Sequence, residues 1–229
     1  MKAPTFFSDP HVVFLSQILD EISDGLVQVP RFQRPLVWGW DQRLELLRSI
    51  RDGIPMGAVM VWRTSQQQLQ TFERLGPFKL RKPNTNVPQQ YLLDGVQRLS
   101  TLYGAISTRN DEIQEEEWEG GVVNFNVYYD LRQQDFLAEE IDDVEPDMLP
   151  LNIIFNSVAL LKFQRSLTSI DADLLIERSD EIASAFRTYK VALIPISTDE
   201  LDLATRTFQR INTQGTKMDE SHMIHALTW

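Results

Sequence analysis

The sequence predicts an α+β fold, and two observations favour that class. Short runs of consecutive apolar residues, such as 58–62 and 91–93, have the length of buried strands. Several longer segments place apolar residues at the i, i+3, i+4, i+7 spacing of one helical face. The chain has 229 residues, 42% of them hydrophobic, which is enough for a sizeable core. We expect a single domain over 1–229, with a helical subdomain over about 131–188.

The first predicted element is a helix over residues 11–25, because Val13, Ile18 and Ile22 form an apolar stripe. Gly25 is a typical helix stop. A short strand at 26–29 should follow, and then an extended segment at 31–38, because a proline at position 35 disfavours helical backbone in the residue before it.

Asp41 is a good N-cap for the next helix, which we expect over 42–51. The run 58–62 is apolar throughout and therefore predicts a strand that is buried on both faces. An exposed strand is expected at 66–72. Residues 76–88 contain three prolines, and this composition predicts a loop.

The second half of the chain continues the alternation of strands and helices. Ser197 and Glu200 have the spacing of a capping box at the start of a helix. The elements predicted from patterning are an amphipathic strand at 122–129, an exposed excursion at 130–150, helices at 153–167 and 171–188, a strand at 189–196, a helix from 197 to about 211, and a last helix from Asp219.

The most informative stretch is Asp94-Gly95-Val96-Gln97-Arg98, between a predicted strand at 91–93 and a predicted helix. Gly95 allows positive φ or the close approach of a ligand. The amides and dipole of a helix N-terminus favour a bound anion such as phosphate, and such an anion would explain a cation at Arg98. The alternative is structural: Asp94 caps the helix and Arg98 is solvated.

Three polar clusters pair an arginine with an amide side chain at the edge of an apolar element. They are Phe32-Gln33-Arg34, the 94–98 stretch, and 208–212 with Gly215. Arginine binds phosphate oxygens bidentately, and a carboxylate can hold Mg²⁺ or activate water. We therefore predict one shared phosphate pocket. The residues assigned to phosphate are Gln33, Arg34, Gly95, Arg98, Arg210 and Gly215. Those assigned to catalysis are Asp94, which is also the candidate Mg²⁺ ligand, Gln97 and Asn212.

Composition excludes other classes of function. With 22 basic and 33 acidic residues, the net charge of −11 disfavours DNA binding by the whole surface. The chain lacks cysteine, an apolar run of membrane-spanning length and a P-loop sequence. We expect a cytoplasmic protein. His222 and His225 have no evident third metal ligand, and Ser100 has no histidine partner at a recognisable spacing.

At the same three clusters the sequence resembles the N-terminal domain of GmrSD-type (type IV) restriction endonucleases, which is related to the ParB/sulfiredoxin-like fold. Residues 30–38 match the family pattern P-x-x-QRP-x-x-W, 94–102 match DGQQR-L-T-T-L, and 210–215 match R-x-N-x-x-G. One departure from the pattern matters: Val96 stands where the family has its first glutamine.

The resemblance implies a small mixed sheet flanked by helices, with a largely helical C-terminal part. It also implies a nucleoside triphosphate (ATP, GTP or CTP) with Mg²⁺, and hydrolysis that regulates a nuclease acting on modified phage DNA. That nuclease would carry a His-Asn-His motif, which these residues lack. DNA would therefore be reached through a further domain or a partner, and we expect the chain to be a piece of a longer protein. A non-hydrolysing sensor of modified DNA or of a partner protein, a ParB-like nuclease, and a homo-oligomer stay open.

Overall fold

The computed structural model describes residues 8–33, 37–75, 78–82, 87–106, 125–137 and 144–212, without the side chains of the last two. Its strands are β1 His11–Phe14, β2 Val29–Pro30, β3 Val59–Thr64, β4 Thr71–Phe72, β5 Arg74–Leu75, β6 Phe78–Lys79, β7 Gln89–Asp94, β8 Tyr128–Asp130, β9 Asp135–Leu137, β10 Met148–Pro150 and β11 Lys190–Ser197. Its helices are α1 Leu15–Ser23, α2 Trp40–Arg51, α3 Val96–Ile106, α4 Ser157–Ser166, α5 Ala172–Thr188 and α6 Leu201–Asn212.

The central element is a four-stranded mixed sheet with the order β1-β11-β3-β7. The β11–β3 pair is parallel, whereas β1–β11 and β3–β7 are antiparallel. Three smaller sheets accompany it: β10-β8-β9, β2-β4 and β5-β6. The predicted α+β class is confirmed, and the sheet is small and mixed as expected.

Alternate residues of the central strands pack against helices on opposite faces of the sheet. In β3, Val61 belongs to the larger apolar core, which also takes buried residues of α1, α2, α3 and α5. The neighbouring Trp62 belongs to a second cluster that includes Phe208 of α6. The same division applies to Leu92 and Leu93 of β7. Strands β3 and β7 are therefore covered on both faces, which agrees with their continuous apolar runs.

The start of the predicted first helix is wrong. Residues 11–14 form β1 and pair with β11, and the helix begins only at Leu15. Val12 and Phe14 are exposed, as expected for one side of an edge strand. The predicted end is correct, since Gly25 has φ +73° and its amide donates to the Ile22 carbonyl.

The region 130–150 is not the exposed excursion that the sequence predicts. Its acidic composition conceals a three-stranded sheet, because Phe136 of β9 and Leu149 of β10 are buried and face the same core as Tyr129. A helical subdomain over about 131–188 stays a prediction, although that range begins with these strands.

Other boundaries shift by a few residues. Helix α2 begins at Trp40 with Gly39 as its N-cap, so Asp41 lies in the first turn. The strand predicted at 66–72 is reduced to β4, the loop predicted at 76–88 contains β6, and α6 begins at Leu201. The helix predicted from Asp219 and most of the strand predicted from 122 lie outside the described residues. No helix in the described part of the chain has the length and apolarity needed to cross a membrane.

Candidate functional site

The candidate site is built around the corner where β7 ends and α3 begins, which we call the Asp94 corner. Asp94 is the last residue of β7 and Val96 is the first of α3. Gly95 between them has φ +102°, a conformation that side chains rarely adopt. The predicted strand, tight turn and helix are confirmed at this position.

A β-bulge immediately precedes Asp94. Asp94 pairs with Met60 of β3 and Leu92 pairs with Val61, so Leu93 is the extra residue. Gln33 fills the irregularity: its side-chain Nε2 donates to the Leu92 carbonyl at 2.8 Å and to the Leu93 carbonyl at 3.1 Å. Gln33 is only 9% exposed. Bulges are common next to active sites, where they redirect a side chain.

A second contact joins the segment after Gln33 to the Asp94 corner. The Gln97 side-chain oxygen accepts a hydrogen bond of 2.8 Å from the Val37 backbone amide. Both ends of the 33–37 span are therefore attached to the end of β7 or the first turn of α3. Arg34, predicted to bind phosphate, belongs to this span but lies outside the described residues.

The third polar cluster approaches through α6. The ring of Phe208 packs edge-on against Phe32, with 4.6 Å between the ring centroids, and Leu93 belongs to the same apolar cluster. Arg210 is exposed in the last turn of this helix. Asn212 ends the helix, without a described side chain, and Gly215 lies outside the described residues. The backbone therefore brings described members of all three predicted clusters to one region.

Arg98 and Asp94 form an ion pair of 2.7 Å between Nη2 and Oδ2. The Arg98 guanidinium also donates to the carbonyls of Met56 at 2.8 Å and Ala58 at 3.0 Å. The Arg98 side chain is 15% exposed and that of Asp94 is 39% exposed. Arg98 is therefore not solvated, and this part of the structural alternative is wrong. The helix dipole disfavours a positive charge in the first turn of a helix. Here the Asp94 carboxylate and two carbonyl dipoles compensate the charge of Arg98.

The loop that supplies these carbonyls, residues 54–58, is the part of the site that the sequence analysis missed. Gly57 has φ +90°, and a Cβ atom at this position would lie 2.7 Å from Arg98 Nη1. A Cβ at Gly95 would lie 3.6 Å from Arg98 Nη2. Two glycines with positive φ thus border the guanidinium. The available signal in the sequence is the glycine at position 57, just before the buried strand predicted at 58–62.

The N-terminus of α3 provides hydrogen-bond donors beside this ion pair. The first amide that closes a helical turn is that of Leu99, which donates to the Gly95 carbonyl at 2.9 Å. The preceding amides of Val96 and Arg98 have no acceptor within the described ranges. Such amides are the usual ligands of phosphate at a helix N-terminus.

The residues at the Asp94 corner fit Mg²⁺ only if the phosphates of a nucleotide supply further ligands. The described residues contain no group of three or more histidine, aspartate or glutamate side chains that could hold a metal. Mg²⁺ is commonly held by one or two carboxylates together with the phosphates of a nucleotide. Asp94 supplies one carboxylate, with Oδ2 accepting from Arg98.

A second polar region, which we call the α2-end cluster, lies at the last turn of α2. It consists of Arg48, Asp135 and the residues that line a cavity of about 420 Å³, which are Arg51, Asp52, Tyr129, Gln134, Arg178, Glu181, Ile182 and Ala185. Arg51 bonds to Asp52 at 2.7 Å, and Arg48 bonds to Asp135 at 2.7 Å. The cationic and anionic side chains of this cluster largely compensate each other, which gives no preference for an anionic ligand.

The sequence matches the family described as GmrSD restriction endonuclease, N-terminal domain, over residues 15–229. It is also similar to the uncharacterized protein MJ0686 of Methanocaldococcus jannaschii, with 24% identity over 245 residues. That match covers 93% of this chain, and the chain spans 40% of the length of this relative.

Because the family match includes nearly the whole chain, the chain belongs to the family of GmrSD restriction endonuclease N-terminal domains.

Proposed function

We propose that this GmrSD-family domain binds a nucleoside triphosphate with Mg²⁺ at the Asp94 corner and hydrolyses it. In this proposal the domain regulates a restriction system directed at modified DNA, and reaches DNA through a nuclease domain or partner. The observation that carries the proposal is the convergence of the three clusters, through the Gln33 bonds to β7 and the contact between Phe32 and Phe208.

Phosphate recognition would rest mainly on the α3 N-terminus. The amides of Val96 and Arg98 supply donors there, and the helix dipole adds a positive potential. The guanidinium has five N–H groups, and Arg98 makes three hydrogen bonds with them in this structure. In this proposal the remaining N–H groups donate to a phosphate oxygen. Arg34 and Arg210 would add charge from the flanking segments.

The structure changes the roles that we assign to two amide side chains. Gln33 is buried against two backbone carbonyls, so we assign it the support of the bulge and not a phosphate contact. The Gln97 oxygen accepts from Val37, so we assign it to holding the Arg34 segment. Asn212 and Gly215 keep their predicted roles at the end of α6.

Asp94 is the residue that we assign to the reaction. Its carboxylate would help to hold Mg²⁺, which supplies neutralisation of phosphate charge when bound. The ion pair with Arg98 fixes the orientation of this carboxylate, and a fixed orientation is what a metal ligand or a base for an attacking water requires.

A non-hydrolysing sensor is the second candidate. The observation that favours it is the pairing of Asp94 with Arg98, because a carboxylate oxygen that already accepts a hydrogen bond from a guanidinium is less free to take a proton from an attacking water. The valine at position 96, in place of the family glutamine, agrees with this alternative. Such a domain would bind nucleotide, modified DNA or a partner protein without turnover.

Phosphate release from ATP, GTP and CTP with Mg²⁺ tests the assignment, using Asp94→Asn and a matched control. Asp135→Asn is the control, because Asp135 also pairs with an arginine at 2.7 Å and is 40% exposed. We expect Asp94→Asn to lower turnover by at least about 100-fold, as expected for loss of a metal ligand or base, and Asp135→Asn to leave it unchanged.

Equal turnover by Asp94→Asn and the unchanged protein would remove Asp94 from the reaction. Nucleotide binding without phosphate release by the unchanged protein would favour the sensor.

A further inference from the structure

Tyr189 connects a distant part of the chain to the loop beside the Asp94 corner. It lies between α5 and β11 and is 7% exposed. Its hydroxyl donates a hydrogen bond to the Ile54 carbonyl and accepts one from the Met56 amide, each at 2.7 Å. A single phenol oxygen thus fixes two backbone groups of the 54–58 loop.

Met56 transmits this contact to the candidate site. Its amide bonds to Tyr189, and its carbonyl accepts from Arg98 Nη1 at 2.8 Å. The next bond joins Arg98 Nη2 to Asp94 at 2.7 Å. The result is a continuous hydrogen-bonded series from Tyr189 through Met56 and Arg98 to Asp94.

We propose that Tyr189 is a positioning residue of the candidate nucleotide site, acting through the 54–58 loop on Arg98 and Asp94. The inference rests on the proposed function, since it assigns a role in that same site. Tyr189 is not proposed to touch the nucleotide. Its contribution is to hold the Met56 carbonyl where the guanidinium needs it, and so to fix the Asp94 carboxylate.

The chemistry of the phenol suits this role. Burial raises the pKa of Tyr189, while the Met56 hydrogen bond and the Arg98 charge lower it by less. The hydroxyl therefore stays protonated at neutral pH and keeps its hydrogen for the Ile54 carbonyl. Phenylalanine at this position would retain the ring packing and lose only the oxygen.

Tyr103 provides a matched control. It is also buried, at 3% exposure, and its hydroxyl bonds to the Ser23 side chain at 3.2 Å. Tyr103→Phe and Tyr189→Phe therefore remove the same atom from two buried tyrosines, and only one of these tyrosines contacts the 54–58 loop.

The first measurement is steady-state hydrolysis of whichever of Mg-ATP, Mg-GTP and Mg-CTP the unchanged protein turns over. For Tyr189→Phe we expect kcat to fall about tenfold with KM changed less than about threefold, because misplacing a catalytic group affects the reaction more than binding. Tyr103→Phe should keep both constants. Equal kcat values for the two variants would overturn the proposal.

A second variant tests the coupling. Arg98→Lys keeps the charge but cannot bridge two carbonyls and a carboxylate with one planar fork. If Tyr189 acts through Arg98, the combined variant should lose little more kcat than Arg98→Lys alone. Multiplicative losses in the double variant would show independent action and would overturn the proposed route.

Amide hydrogen exchange separates this inference from the proposed function, because it needs no activity. Tyr189→Phe should speed exchange across residues 54–58 at least tenfold and shift the guanidinium NMR signal of Arg98, while Tyr103→Phe does neither. Unchanged exchange and an unchanged Arg98 signal would overturn the positioning role. If the unchanged protein hydrolyses none of the three nucleotides, the proposed function fails, and the exchange result alone decides the role of Tyr189.

Discussion

The Asp94 corner and the α2-end cluster both contain arginine–aspartate pairs at 2.7 Å, but they are built differently. The Arg98 side chain is 15% exposed, whereas that of Arg48 is 34% exposed. Arg98 also bonds to two carbonyls of one loop, and positive-φ glycines border its guanidinium. Arg48 and Arg51 bond mainly to exposed carboxylates.

This difference shows why the cavity at the α2-end cluster is not the better candidate site. Exposed ion pairs contribute little to stability and are screened by salt. A guanidinium held by backbone carbonyls in a largely buried position is oriented before a ligand arrives. Binding then costs less side-chain entropy, which increases the affinity for the ligand. The comparison therefore predicts that matched changes have large effects at the Asp94 corner and small effects at the α2-end cluster.

The largest effect is expected for Gly57→Ala. Its φ of +90° is unfavourable for alanine, and the new Cβ would lie 2.7 Å from Arg98 Nη1 and displace it from its carbonyl partner. We expect a loss of roughly 2 to 3 kcal/mol in the free energy of unfolding, measured by urea denaturation. Gly53→Ala is the control: φ is +69° with nothing within 4 Å, and the expected loss is about 1 kcal/mol. Equal losses for both would mean that Arg98 is not held in place.

A smaller effect is expected for replacing the arginines themselves. Arg98→Ala removes the guanidinium that donates to the Met56 and Ala58 carbonyls. It should lower the free energy of unfolding, measured by urea denaturation, by about 2 kcal/mol. Arg51→Ala removes partly exposed pairs and should cost less than about 1 kcal/mol. A larger loss for Arg51→Ala would reverse the ranking of the two regions.

The smallest effect concerns pH at the α2-end cluster. The hydrogen bond from Arg48 is the main cause that lowers the pKa of Asp135, and burial opposes it. A carboxyl whose pKa is depressed by folding stabilises the protein above its unfolded pKa, and this contribution disappears as pH falls through the folded pKa. Since Asp135 is 40% exposed, we expect this contribution to the free energy of unfolding to be only about 0.5 kcal/mol.

Urea denaturation between pH 7 and pH 3 checks this expectation. Asp135→Asn should lack this part of the acid-induced loss in the free energy of unfolding. The difference in this free energy between Asp135→Asn and the unchanged protein should therefore narrow below about pH 4. A constant difference across this range would contradict the assigned ion pair.

The sequence predicted the parts of the site that depend on local patterning. A short apolar run, an aspartate and a glycine predicted the strand, turn and helix around Asp94, and the structure has them there. The continuous apolar run of β3 correctly predicted burial on both faces. These features succeed because period and turn chemistry are encoded within a few residues.

The parts that failed depend on contacts between distant residues. The edge strand β1 has a helical apolar pattern, and it is a strand because β11 pairs with it. The bulge at Leu93 exists only through pairing with β3, and Gln33 is recruited to it from 59 residues away. Tyr189 reaches Met56 across 133 residues. No local pattern at any of these positions encodes its partner.

Calorimetric titration of Mg-ATP, Mg-GTP and Mg-CTP tests the central claim most directly, using the unchanged protein, Arg98→Lys and Arg51→Lys. Both substitutions keep the charge and remove the planar fork, one in each of the two compared regions. We predict that at least one nucleotide binds the unchanged protein. We also predict that Arg98→Lys raises the Kd at least tenfold, about 1.4 kcal/mol, while Arg51→Lys leaves it unchanged. Binding of none of the three nucleotides, or a loss of affinity confined to Arg51→Lys, would contradict the proposed site.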